Sequence, residues 1–126
     1  MAYSSDSDII NYLSTEELSS LTGSTEIDYA KIEFARERSD AFIDLFLQGK
    51  VSFDKESVPV IINRISVELT IVFLYENYHN SDEIPNMIQR RKRDITRLLQ
   101  DIAASKLVLA PNTTYDTILC LTNSIK

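Results

Sequence analysis

Residues 58 to 78 read VPVIINRISVELTIVFLYENY, and the fold turns on how this stretch is taken. Its second residue is Pro59, placed for the first helical turn, the one helix position that accepts proline without loss. It has no glycine, and Val60, Ile61, Ile62, Ile65, Val67, Leu69, Ile71, Val72, Phe73, Leu74 and Tyr75 fall on nearly every side of a helical wheel. A helix apolar all round is either a central core helix or a membrane span. Asn63, Arg64, Ser66 and Glu68 interrupt the run of roughly 18 uncharged residues that a span requires. The stretch therefore predicts the buried axis of a small helical domain. Its wealth of β-branched residues leaves a buried pair of strands as the rival reading.

The remaining composition agrees with helices. In 126 residues there are two glycines and three prolines, too few for a turn-rich β architecture. The length suits one domain, residues 1–126, with a core of its own. The hydrophobic share of 44% and charged share of 25% are those of a soluble globular protein. Cys120 is the single cysteine, which favours a cytosolic setting over a disulfide-bonded secreted one. The opening MAYSSDSDII lacks the basic region and apolar core of a signal peptide.

On either side of the central helix the punctuation is regular. Residues 1–27 predict short helical turns. Ser5 and Asp6 are caps for Asp8–Leu13, and a capping box, Ser14 with Glu17, opens a second turn that Gly23 stops. A long helix follows over Asp28–Gln48, with Ala30, Phe34, Ala41, Phe42, Leu45 and Phe46 as its apolar face. Arg36 and Arg38 lie close enough to offset the like-charged pairs Glu33/Glu37 and Asp40/Asp44. Gly49 ends that helix, and a polar connector carrying Val51 and Phe53 leads to Val58. Ser81 or Asp82 caps the last helix, Asp82–Ser105, with Pro85 in its first turn and Ile84, Met87 or Ile88, Ile95, Leu98, Leu99 and Ile102 facing the core. Long helices with short links predict an all-α, antiparallel bundle of three long helices over 28–105. The tail, residues 106–126, is extended: Tyr115, Thr117, Leu119 and Leu121 alternate with Asp116, Ile118, Cys120 and Thr122. An apolar strand with no mate in its own chain invites one from another, so Tyr115, Leu119 and Leu121 are candidate contacts with a neighbouring subunit. The alternative is a terminal segment packed on its own bundle.

No enzyme constellation emerges, and the expectation is a protein without catalysis, cofactor or metal. His79 has no second histidine or cysteine at ligand spacing. Gly23 and Gly49 are too far apart for a phosphate loop. Cys120 sits in an apolar segment with no histidine nearby in sequence, as a small packing residue does. The sharpest local feature is Arg90-Arg91-Lys92-Arg93. On a helix these four side chains fan over about 300° of arc, so they do not form one stripe. They read either as a solvated face, with Asp40, Asp44, Asp82, Glu83, Asp94 and Asp101 as possible ion-pair partners, or as a contact for an acidic partner surface. The net charge of −6 is concentrated in residues 1–28, which hold six acids and no lysine or arginine. That argues against general nucleic-acid binding and offers an acidic partner in an adjacent copy, although acids also simply favour helix N-termini. Head-to-tail association of this kind builds rings when the rotation closes.

Taken in order, the chain resembles the small head–tail connector (joining) proteins of Mu-like phages and prophages. The resemblance covers about Ala2 to Leu109. It rests on Met1-Ala2-Tyr3, Asp8-Ile9-Ile10, Glu17-Leu18-Ser19-Ser20-Leu21-Thr22 and Asp28-Tyr29-Ala30-Lys31-Ile32. It continues with Ser39-Asp40-Ala41-Phe42-Ile43-Asp44-Leu45-Phe46-Leu47, Val58-Pro59, Leu74-Tyr75 and the closing Ile102-Ala103-Ala104-Ser105-Lys106-Leu107-Val108-Leu109. The chain departs from the family's habits at Gly49-Lys50, where an arginine–tyrosine pair is common, and at Ser105, where glycine is. The resemblance implies an all-helical, non-catalytic subunit added to the portal vertex after DNA packaging. It implies self-association into a ring contacting portal and tail proteins, with DNA passing through and no small-molecule substrate, membrane or sequence-specific nucleic acid. An acidic channel lining would suit that passage. Such a protein is made in the host cytoplasm and ends in the virion. Two readings of other kinds stay open: a soluble helical adaptor or regulator of a cytosolic partner, and a DNA-binding regulator using Arg90–Arg93 and Arg97.

Overall fold

In the chain's computed structural model, residues 3–13, 17–18, 21, 27–48, 50–51, 53, 56–79, 82 and 84–105 are described. Those residues are helical wherever they are regular: α1 (Asp6–Tyr12), α2 (Tyr29–Leu47), α3 (Val60–Tyr78) and α4 (Asn86–Ser105). The central stretch is thus a helix and not a strand pair. The reading of the tail, residues 106–126, lies outside the described residues, as does the capping box at Ser14.

The helix ends follow local chemistry. Ser5 caps α1 with its hydroxyl accepting from the Asp8 backbone N–H, and the Asp8 carboxylate accepts from the Ser5 N–H in return, a reciprocal capping box. Asp6 is therefore a first-turn residue. Asp28 caps α2 by accepting from the Lys31 N–H. Pro59 stands one residue earlier than expected: with ψ 143° it is the N-cap of α3, and its carbonyl accepts from the Asn63 N–H. The last helix begins at Asn86 and not Asp82. The Pro85 carbonyl takes the first amides, from Ile88 at 3.0 Å and Gln89 at 3.4 Å.

Helix α3 is the axis of the core. Every residue from Ile65 to Leu74 is buried, Ser66, Glu68 and Thr70 included. Ile32, Ala35, Ile43 and Leu47 from α2, Ile88, Ile95, Leu99 and Ile102 from α4, and Ile9 from α1 close around it. Each fully buried Ile, Leu or Phe contributes about 1.5–3 kcal/mol relative to its exposed state. On α4 the expected core face holds, with Ile88 inside and Met87 outside. Val51 and Phe53 of the connector are half-buried against this core, and Phe53 meets the edge of Tyr3 at 5.8 Å.

Helix α2 is turned away from its expected orientation. Ala30, Phe34, Ala41 and Leu45 are exposed, Phe34 by 57% and Leu45 by 77%, while Phe42 and Phe46 are half-buried. The inner face instead carries Ser39 and Asp40 beside its aliphatic residues. The reason is a set of hydrogen bonds that only those two polar residues can make.

Candidate subunit interface

Two polar constructions shape the surface: a clamp that seats the N-terminal residues, and the outward face of α4. In the clamp, the Asp40 carboxylate accepts from the Tyr3 backbone N–H at 3.1 Å and from the Ser66 hydroxyl at 3.0 Å. Ser66 shares a second hydrogen bond with the Ser4 hydroxyl at 2.7 Å, and its carbonyl accepts from Ser39 and Thr70. The Asn63 amide donates to the Tyr3 carbonyl and to the Asp8 carboxylate, both at 3.0 Å. Arg36 donates to the Ser4 carbonyl at 3.0 Å and lies 3.4 Å from Asp6. The Tyr3 hydroxyl donates to Asp44. Residues 3 and 4 are consequently buried and pinned between α2 and α3.

The same geometry sets the ionisation of the clamp. Burial pushes the Asp40 carboxyl above its usual value; the Tyr3 N–H and Ser66 hydroxyl oppose this, and the charge of Asp44 adds to the rise. Burial, the hydrogen bond to Asp44 and the charges of Asp44 and Asp40 all raise the Tyr3 phenol. At Asp8 burial also works upward, but Asn63, the Ser5 amide and hydroxyl, and nearby Arg36 outweigh it and hold the carboxyl below its usual value.

These contacts redistribute the charges that the sequence paired differently. Arg36 and Arg38 do not offset acids on their own helix: Arg36 goes to Asp6, and Arg38 to Glu76 at 3.5 Å and to Asn77. Asp6, Asp8 and Asp28 act locally as first-turn, capping or ion-paired acids, and Asp40 and Asp44 are held by Tyr3. None of these serves the basic run.

That run is divided by the helix. Lys92 turns inward to Glu76 at 2.8 Å and lies 5.6 Å from the centre of the Phe73 ring, which Arg38 covers from 4.3 Å. Arg91 donates to the Tyr12 hydroxyl at 3.1 Å; that hydroxyl reaches Glu68 at 3.5 Å, and Glu68 pairs with Arg64 at 3.7 Å. Arg91 and Lys92 thereby dock α4 onto α1 and α3, each half-exposed pair contributing about 0.2–1 kcal/mol. Arg90 and Arg93 point outward with Arg97, forming no ion pair among the described residues. Their spacing of three and four places all three on one stripe. Partly within the stripe lies an open groove of about 460 Å³ lined by Met87, Ile95 and Leu98, by Arg90, Arg91 and Arg97, and by Glu68, Asp94 and Asp101; Arg93 is outside it. The sequence had put forward Arg90, Arg91, Lys92 and Arg93 together; Arg91 and Lys92 are engaged within the chain, and Arg97 had been named only for the DNA-binding alternative. Its other candidates, Tyr115, Leu119 and Leu121, lie outside the described residues.

The exposed stripe on α2 was missed as a surface because its spacing had been read as the core face. The signal was present: Ala30, Phe34, Ala41 and Leu45 are spaced at four, seven and four residues and fall within about 60° of the helix circumference.

Two features bear on chemistry. The His79 imidazole donates through Nε2 to the Leu21 carbonyl at 2.9 Å and tilts against Tyr75. Among the described residues no group of three His, Cys, Asp or Glu is placed to hold a metal ion, and no helix is long and apolar enough to cross a membrane.

No curated protein matches the chain. A family model described as Bacteriophage Mu, Gp36 matches residues 3–118, a range that takes in the clamped Tyr3 and α1 to α4. The chain belongs to the bacteriophage Mu Gp36 family and is a Mu-like phage protein.

Proposed function

We propose that the chain is a structural subunit of the phage head–tail junction, forming or joining a connector ring below the portal, and that it acts without catalysis. The observation that carries this reading is the family match over residues 3–118. The clamp and the α4 face supply a physical role. A junction subunit has to hold its shape under load, and the buried network joining residues 3, 4, 40 and 66 ties the N-terminal segment to α2 and α3. The three long helices then form an antiparallel bundle, a rigid body in the sense such rings require. Partners are further copies of the chain, the portal and a tail protein; the subunit is made in the host cytoplasm and incorporated into the virion. In a ring, DNA passes through without sequence-specific contact. The tail, through Tyr115, Leu119 and Leu121, is a second reach toward neighbours.

The test is genetic and morphological. A phage or prophage with this reading frame inactivated is induced, and its lysate is viewed by electron microscopy. DNA-filled heads and finished tails are expected side by side but unjoined, and adding the purified protein restores joining. Virions of normal morphology, or heads that never fill, would overturn the reading; normal virions would favour the soluble adaptor instead.

A further inference from the structure

The groove on α4 combines an apolar floor with a rim that favours neither sign of charge. Met87, Ile95 and Leu98 form the floor, while Arg90, Arg91 and Arg97 are matched by Glu68, Asp94 and Asp101. From Met87 to Asp101 it extends about 21 Å along the helix. A partner surface rich in one charge would meet as many like charges here as opposite ones. An extended, uncharged segment fits better, because each of its residues brings one backbone donor and one acceptor. Guanidinium groups can serve its carbonyls and carboxylates its N–H groups, while alternate side chains meet the floor.

A segment of this kind is attached at the groove's own end. Asp101 lies about one turn before Ser105, the last residue of α4. Residues 107–125, which lie outside the described residues, carry one charged side chain, Asp116. Pro111 and Asn112 favour a turn. From Thr113 to Leu121 an extended chain spans about 26 Å, enough to run back along the whole groove. The family match continues past α4 to residue 118, so the stretch after the helix belongs to the same family unit.

We infer that in the unassembled subunit residues 113–122 lie along the α4 groove of their own chain, antiparallel to the helix, with Leu119 and Leu121 against Leu98 and Ile95. Attachment selects this occupant: a short tether holds the segment at an effective concentration on the order of millimolar, well above that of a second copy in dilute solution. The consequence rests on the ring reading above. Leu119 and Leu121 reach a neighbouring subunit only after leaving the groove, so the tail is a latch that keeps free subunits apart.

The experiment uses the full chain. Leu119→p-benzoylphenylalanine protein is prepared with light and with heavy nitrogen, mixed in dilute solution, irradiated and digested for mass spectrometry. Cross-links to residues 94–98 within one isotope are expected. Mixed-isotope cross-links, cross-links to α2, or no cross-link to α4 would each overturn the inference. Limited proteolysis gives an independent readout. Leu98→Glu should speed chymotrypsin cleavage within residues 115–121 at least about tenfold, the scale of one leucine's lost burial acting on the open population. Leu45→Glu, on the exposed face of α2, should leave that rate unchanged. A tail cut equally fast in wild type and in folded Leu98→Glu protein would refute the latch, and the cross-link decides the question should that variant fail to fold. The head–tail role is decided by the lysate assay, so a tail found free of the groove would sink the latch and leave that role standing.

Discussion

Asp40 offers the most discriminating test of the clamp, because two substitutions at one position should behave differently. Asp40→Ala removes the acceptor for the buried Tyr3 N–H and the Ser66 hydroxyl. The Tyr3 N–H is then a stranded buried donor, costing about 1–3 kcal/mol, while the Ser66 hydroxyl keeps Ser4 and loses a hydrogen bond to a carboxylate, about 1.5–3 kcal/mol. Relief of a buried carboxylate beside Asp44 offsets part of this, leaving an expected loss of about 2–4 kcal/mol. Asp40→Asn keeps the shape. Its carbonyl can accept from Tyr3, its amide can donate to the Ser66 oxygen, and Ser66 can then donate to Ser4, so the expected loss is below about 1 kcal/mol. Burial raises the Asp40 carboxyl in the folded state, so between the unfolded value near 4 and that raised value the fold binds the extra proton. The Asp40 contribution therefore falls as pH rises through this window and is recovered as pH falls. Asp40→Asn removes that dependence, so the wild type should gain on the variant as pH is lowered. Urea titrations followed by far-UV circular dichroism, with unchanged slope as the control, measure both effects. Equal losses for Asn and Ala, or a wild-type advantage that grows as pH rises, would refute the network as drawn.

Other substitutions probe neighbouring parts. Phe73→Ala empties a fully buried site that meets Phe42 edge-on and lies under Arg38; a urea titration should show a loss of about 3–5 kcal/mol. Asn63→Ala strips the Tyr3 carbonyl and Asp8 of a donor and should cost about 1–2 kcal/mol at neutral pH. Since Asn63 helps to hold Asp8 low, stability from Asp8 is present above its unfolded value near 4 and is lost as pH falls. The variant should therefore show a shallower acid-side loss in thermal melts from pH 3 to 6. Tyr12→Phe cuts the link between Arg91 and Glu68 at a half-exposed site, so its urea midpoint should correspond to a change below about 1 kcal/mol.

Much of the architecture was legible because burial leaves strong marks on sequence. A stretch with isoleucine, valine and leucine on every side of the wheel can only be enclosed, and α3 is. Asp28 was read as the first residue of its helix and is the cap just outside it, and Ile95, Leu99 and Ile102 announced the inner face of α4. The end points of α3 and α4 slipped because a proline can stand on either side of a helix start; its carbonyl serves as the first acceptor when it is outside. The basic run was read correctly as fanning out. Which members turned inward depended on Glu76, Tyr12 and Phe73, residues distant in sequence.

The orientation of α2 shows where periodicity stops being informative. The helix carries two apolar stripes, one through Phe34 and Leu45 and one through Ile32 and Ile43, and the aromatic stripe looks like the better core. What decides between them is polar. Ser39 and Asp40 sit on the Ile32–Ile43 face, and counted by hydrophobicity they weaken its claim. Buried polar groups are tolerated when their partners are fixed, and here the partners are Ser66 from the middle of α3 and the backbone of Tyr3 near the chain start. Neither is within reach of any local window. The same hydrogen bonds that draw Asp40 inward rotate Phe34 and Leu45 outward. The exposed stripe and the clamp are therefore one event: a helix that satisfies its buried carboxylate must turn its second apolar face outward. An isosteric replacement at Asp40 that preserves the clamp should leave that face in place, whereas one that breaks it should cost stability and free α2 to turn.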